Sequence, residues 1–261
     1  MNRPAKALAI ALALAVLSAA APALALGPDS YAARKLQFPE FFGTVEVTVD
    51  AAATAVTVTG TGDPAKLKEV SVSLSGDTLR IERAIPDGPK TIDMERDSEP
   101  VLRLTVPAGT SVALGDYLGG FTAGDGLSAL ALDSGLAAQL TVGRVGSVAV
   151  TARGALQMTL AEVTESLDID LRGAGQMDIG STSGPVRIDI RGMGNVDVGR
   201  VQGPVAIAIS GAGMVAVDAG RADPLSVTVS GLARVAFDGE AVNPAVSKTG
   251  LASVSIAGRS H

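Results

Sequence analysis

The sequence has no cysteine and no tryptophan, a single histidine, and only two tyrosines and five phenylalanines among 261 residues. Without cysteine there is no disulfide, no thiol nucleophile and no thiolate-bound metal. The one imidazole is His261, so neither a Ser-His-Asp triad nor a cluster of histidine ligands is expected. Charge is also sparse, with 18% Asp, Glu, Lys and Arg and a net charge of -6. That sign disfavours nucleic acid and anionic lipid as partners. What is abundant is apolar residues, at 47%, and glycine, at 31 residues. The first excludes a disordered chain, and glycine's lack of a three-residue period excludes a collagen-like one. The length suits one large all-β domain or two ordinary ones.

The first segment reads as a targeting signal. Arg3 and Lys6 precede an apolar run from Ala7 to Leu17, and Ala23-Leu24-Ala25 comes next as a small-x-small site. This order predicts a secretory signal peptide over residues 1–25, cleaved after Ala25, with an uncleaved N-terminal anchor as the alternative. The run is shorter than the roughly 20 residues of a membrane span, so no transmembrane segment is expected after cleavage. Cleavage removes two positive charges, taking -6 to -8. The mature chain is expected to be periplasmic or secreted.

A repeat dominates the second half of the chain. Glycine recurs at 135, 154, 173, 192, 211, 231 and 250, at steps of 19, 19, 19, 19, 20 and 19, and Pro185, Pro204, Pro224 and Pro244 keep step. Alternating apolar residues flank each glycine, as in Val186, Ile188, Ile190 before Gly192 and Val196, Val198 after it. Period two with β-branched residues predicts strands, and nothing has the period or length of a crossover helix. Copies must then lay like strand on like strand, giving a parallel β-helix with one rung per repeat, right-handed by the usual rule. Two interior columns are expected: Ala152, Leu171, Ile190, Ile209, Val229, and Met158, Met177, Val196, Val215, Val235, Val254. A narrow interior of this kind favours aliphatic side chains over rings. The marker glycines are expected at sharp bends needing positive φ.

The repeat slips by one residue over Leu127–Val142, and at its far end Ser247-Lys248 replaces the apolar pair, which would protect an exposed edge. Upstream, residues 38–114 are strand-rich but less periodic, with Phe38, Phe41 and Phe42 expected to cap the first strand and Pro86 to Pro100 expected as an exposed loop. The expected organisation is a β-rich start or cap over 26–110, a repetitive solenoid over 111–258 and a tail at 259–261. A separate small β-sandwich is the alternative for the first part.

The corners Leu171-Arg172-Gly173-Ala174-Gly175, Ile209-Ser210-Gly211-Ala212-Gly213 and Val229-Ser230-Gly231 carry a resemblance. Together with the strand-rich opening, they make residues 38–258 resemble the putative auto-transporter adhesin head GIN domain family of bacterial cell-envelope β-solenoids. The resemblance implies the fold and no catalytic residues. Too little sequence lies beyond Gly250 for an autotransporter barrel, so display through one is not expected.

Outward positions carry the remaining chemistry. Arg153, Arg172 and Arg191 each precede a marker glycine, with Asp170 and Asp189 two residues before the latter two arginines on the same face. These five residues are the candidate surface-binding set, and a merely solvated, pairing-resistant face is the competing reading. Gly173-x-Gly175-x-x-Asp178 and Gly192-x-Gly194-x-x-Asp197 differ from calcium-binding nonapeptides in period and glycine placement; no metal and no cofactor is expected. The carboxylate pairs Asp168/Asp170 and Asp116/Asp125 would suit a polysaccharide-active enzyme. The expectation is nonetheless a non-enzymatic envelope module, structural or adhesin-like. Its partner would be an envelope glycan or protein, with self-association into a scaffold as a further alternative.

Overall fold

The structure, a computed structural model, describes residues 26–85 and 99–260. The expected signal segment, residues 86–98 of the expected loop and His261 lie outside them. The described residues open with β1 (Leu26–Tyr31), β2 (Lys35–Asp50), β3 (Val56–Thr61), a one-turn helix α1 (Pro64–Leu67), β4 (Ser71–Ser75), β5 (Thr78–Glu82) and β6 (Val101–Pro107). Strand β2 is already part of a coil, and its neighbours come from later in the chain. Its start lies between β5 and β7 (Ser111–Ala123), with Leu36 opposite both Leu79 and Val112. Its end lies between β6 and β7, with Val45 opposite both Leu102 and Phe121. Strands β5 and β6 thus form a rung outside β2, all in parallel pairing.

Beyond that outer rung the pairing turns antiparallel: β4 on β5, β3 on β6 and β1 on β3. An open coil end exposes apolar interior and unpaired backbone. The antiparallel strands, with Val56, Val58 and the α1 residue Leu67 buried, cover that end. The expected loop over Pro86–Pro100 does not end exposed. Pro100 is buried, its carbonyl accepts from the Thr44 N–H at 2.9 Å, and Glu99 is half-buried in ion pairs.

From β7 the coils descend in order through β8 (Leu127–Ser134), β9 (Ala138–Ala152), β10 (Ala155–Leu171), β11 (Ala174–Thr182), β12 (Val186–Ile190), β13 (Met193–Ile209) and β14 (Ala212–Ser230). They continue through β15 (Leu232–Phe237), β16 (Glu240–Ala241), β17 (Ala245–Thr249) and β18 (Ala252–Ile256). Every pairing from β7 to β18 is parallel, and only the closing strand β19 (Arg259–Ser260) runs antiparallel, against β18. This is the all-β parallel solenoid that the period demanded. Both predicted columns stand: Leu171 faces Ala152 and Ile190, and Met177 faces Met158 and Val196. One rung alone buries Val186, Ile188, Ile190, Val196, Val198 and Val201, each worth about 1.5–3 kcal/mol by transfer from water.

Three expectations need correction. First, among the marker glycines only Gly250 has positive φ, at 87°. From Gly154 to Gly231 they are required by close approach: a Cβ on Gly173 would lie 1.9 Å from the Gly154 carbonyl oxygen, and on Gly192 the same distance from that of Gly173, whereas on Gly135 it would meet only the Asp116 side chain, at 3.8 Å. Second, Gly135 is out of step. Ser134 pairs with Ala152, one residue short of the 19-residue offset, and the oxygen nearest the Gly154 position belongs to Leu136. Third, the interior does hold rings. Phe38 and Phe41 lie within β2 and pack into the coil with Tyr117 and Phe121, at ring separations of 5.6, 5.9 and 6.4 Å along the series. A further ring, Phe237, is buried in the lower coils, between Val217 and Ile256. Of the trio, only Phe42 keeps part of its ring at the surface.

At the far end Lys248 stacks on Val229, taking an interior column position on the last complete rung. A cation there resists a second sheet edge. Lys248→Ile is therefore expected to raise self-association relative to the parent chain in sedimentation velocity; unchanged sedimentation at high concentration would show that Lys248 has no such role.

Candidate functional site

The Arg/Asp set lies on the sheet containing Leu167–Leu171 and Val186–Ile190. Asp170 and Asp189 are direct neighbours across the parallel ladder, a repulsive placement unless cations answer it. They do. Asp170 pairs with Arg172 at 2.8 Å and with Arg191 at 3.6 Å, while Asp189 pairs with Arg191 at 2.6 Å and with Arg187 at 3.8 Å. Arg187 also reaches Asp168 at 3.8 Å. The Arg172 hydrogen bond outweighs partial burial and, with the surrounding guanidiniums, holds the Asp170 carboxyl below the usual carboxylate range. Arg153 stands apart, bound to Asp133 at 2.6 Å. The structure thus joins four of the five candidates and leaves the fifth on a separate pair.

Exposed pairs add little to stability. Asp170→Asn is expected to move the thermal midpoint by no more than about 2 °C at neutral pH. Because the folded pKa is depressed, whatever Asp170 contributes is present above the ordinary carboxylate pKa and lost as pH falls through the folded value. Melting curves of both proteins at neutral and acid pH check this, and a large neutral-pH loss would make the ladder structural.

The other carboxylates have backbone roles. Asp116 accepts from the Gly135 N–H at 3.2 Å and Asp125 from the Arg144 N–H at 2.7 Å, each tying one coil to the next. Among the described residues no group of three or more His, Cys, Asp or Glu could hold a metal ion. No helix among them is long and apolar enough to cross a membrane.

A second face carries different chemistry. It is the sheet running through the ends of β2 and β7, the start of β9 and on to β13. Its outward positions are stacked amides, Gln139, Gln157, Gln176 and Asn195, each opposite the next. Beside them run Thr122, Thr141 and Thr159. At the head of the amide row stands Gly120, opposite Thr44 and Gln139. With no side chain there, the surface dips into a hollow of about 340 Å³ bounded by Phe42, Thr44, Glu99, Thr122, Gln139 and Thr141. Its floor is fixed from inside by the buried Tyr117, whose hydroxyl donates to the Gly120 carbonyl at 2.7 Å. Burial pushes that phenol's pKa up, so it remains a donor.

Behind the hollow lies an ion network centred on a buried arginine. The Arg83 guanidinium, 3% exposed, donates to Glu99 Oε2 at 2.7 Å, Glu69 Oε2 at 3.1 Å and the Phe42 carbonyl at 2.7 Å, and sits 5.1 Å from the Phe42 ring centre. Glu99 also binds Lys66. Burial would raise the Glu99 pKa, but the hydrogen bonds from Lys66 and Arg83 prevail and hold it below the ordinary value. Sequence reading missed this network because its members lie far apart in the chain. The amide row had a visible signal: Gln157, Gln176 and Asn195 each come three residues after a marker glycine.

The family described as "Putative auto-transporter adhesin, head GIN domain" matches residues 40–241. Among solved structures, a putative adhesin from Bacteroides fragilis is similar with a TM-score of 0.51 and 14% identity, covering 89% of this chain and 95% of that one. A putative adhesin from Parabacteroides merdae gives 0.47 and 15%, covering 89% and 94%. A putative lipid binding protein from Parabacteroides distasonis gives 0.47 and 12%, covering 89% and 94%. None of the curated proteins compared matches the chain.

Proposed function

The chain belongs to the putative auto-transporter adhesin head GIN domain family, and from that membership we propose that it is a non-enzymatic binding module of the cell envelope. The observation that carries the reading is the in-register stacking of outward side chains on a scaffold with a continuous apolar core. Such a rod holds like groups at a spacing of about 4.8 Å, so many weak contacts to a repeating surface add up. The carboxylates that an enzyme reading would use are already engaged, Asp170 with arginines and Asp116 and Asp125 with backbone N–H groups. A general acid or base needs a proton-accepting site open to substrate. Export is inferred from the N-terminal pattern, with the mature chain starting at Leu26.

The test is fractionation of expressing cells with N-terminal sequencing, then sedimentation of the purified mature chain with isolated envelopes. The reading expects an N-terminus at Leu26 and saturable co-sedimentation with envelopes. A cytoplasmic chain with its first residues intact, or no retention on envelopes, would overturn it.

A further inference from the structure

We propose that the Gly120 hollow and the amide and threonine rows below it bind a neutral polysaccharide lying along the solenoid axis. This rests on the binding-module reading and moves its contact surface away from the Arg/Asp ladder to another face.

The chemistry of the face selects the ligand. Amide and hydroxyl groups are both donors and acceptors, as are sugar hydroxyls. On the ladder face, Asp170, Arg172, Asp189 and Arg191 satisfy one another, so a ligand would have to break those pairs. Within the described residues, the side chains of Gln139, Gln157, Gln176, Asn195, Thr141 and Thr159 make no hydrogen bond to protein groups. Their capacity is therefore open to a ligand at no such cost. In the hollow, the half-buried Phe42 ring offers an apolar wall for the C–H face of one sugar ring, with Thr44, Thr122 and Gln139 around it. From there the ligand passes one amide per rung, at a step of about 4.8 Å. A polymer of identical units can use such a track repeatedly.

Charge narrows the class. Glu99 borders the hollow, and exposed Asp178 and Asp197 continue the threonine row at its far end. Glu99 is answered by Lys66 and Arg83, so the hollow end offers no free charge to an ionic ligand, while Asp178 and Asp197 at the other end repel acidic polysaccharides; together they favour a neutral one. An extended peptide is a poorer fit, because peptides add to free sheet edges and the strands carrying these rows are paired on both sides.

The experiment applies the intact mature chain to an array of neutral and acidic oligosaccharides at low and high salt. Three variants accompany it: Gly120→Val, the double variant Gln139→Ala/Gln157→Ala, and the ladder control Arg172→Ala/Arg191→Ala. Gly120 tolerates a side chain: a Cβ there meets only the Thr44 side chain, at 3.8 Å. Circular dichroism and thermal melts confirm that each variant folds. The expected result is retention on neutral linear glycans that is insensitive to salt. It should weaken at least tenfold in Gly120→Val and in the amide variant, and stay unchanged in the ladder control. Retention on acidic glycans alone, an array with no retention, or folded hollow and amide variants that bind like the parent would overturn the assignment. Envelope co-sedimentation of the same proteins separates the two levels. Binding to envelopes that survives the hollow and amide variants sinks this site and leaves the module standing, whereas no envelope binding by the parent sinks the module itself.

Discussion

Gly192→Ala is expected to destabilise the chain by about 3 kcal/mol or more, an unusual cost for one methyl group. A Cβ at that position would sit 1.9 Å from the Gly173 carbonyl oxygen and 2.6 Å from that of Arg172. Both are backbone atoms, and the Gly173 oxygen already accepts the Met193 N–H at 2.9 Å. Neither can swing aside as a side chain would. Relief requires opening the gap between two rungs, and the same contact recurs from Gly211 to Gly192 and from Gly231 to Gly211. The usual effect of Gly→Ala on the unfolded chain is a stabilisation of about 0.4–1 kcal/mol, so the predicted sign is the reverse of the generic one. Gly124→Ala is the control, since a Cβ there meets no atom within 4 Å. Urea melts of the three proteins decide the matter, and equal midpoints for Gly192→Ala and Gly124→Ala would refute the close-approach account.

Arg83→Ala is expected to cost about 3 kcal/mol at neutral pH, because it leaves the partly buried Glu99 with only Lys66 as a cation and removes a donor from the Phe42 carbonyl. The effect depends on pH in a defined direction. The folded-state pKa of Glu99 is depressed. Its contribution is therefore present above the ordinary glutamate value and disappears as pH falls through the folded value. Without Arg83 that depression shrinks, so the variant should lose less stability than the parent as pH falls from the ordinary glutamate value through the folded one. The gap between the two proteins should narrow once Glu99 is protonated in both. Denaturant melts across the acid range measure it. A gap that is constant with pH would assign the role of Arg83 to packing alone, against Phe42.

Much of the solenoid is legible in the sequence, since its period is written twice, in glycine and in proline, and a one-residue slip would turn each strand's buried side outward. Leu171, Ile190 and Ile209 align because the step between them is constant. What the period could not supply was the pairing of the opening segment. Alternation marks Val56–Val58 and Leu102–Val106 as strands equally well, but not that the first runs antiparallel to the second, or that both lie outside β2. Those partners are chosen by the need to close an end, which is a property of the whole coil. Gly135 misled for a related reason: it keeps the 19-residue step in sequence while the coil beneath is one residue shorter. For the candidate site, charge drew attention to Arg172 and Arg191, although opposite charges in reach of each other usually end up paired. The uncharged row at Gln157, Gln176 and Asn195 keeps the same period, but amides carry no charge contrast to mark it as a site. The hollow at its head depends on Gly120, Phe42 and Glu99, which no local pattern brings together.

The register of the coils is tested most directly by distance. The chain has no native cysteine, so Gln139→Cys and Met214→Cys can be spin-labelled without background, and they are joined by four successive parallel pairings through Gln157, Gln176 and Asn195. Four rungs at about 4.8 Å predict backbone positions roughly 19 Å apart, seen as one narrow distribution by pulsed dipolar spectroscopy after allowance for the label linkers. A broad distribution, or one centred far beyond that separation, would mean that these segments do not lie one above another.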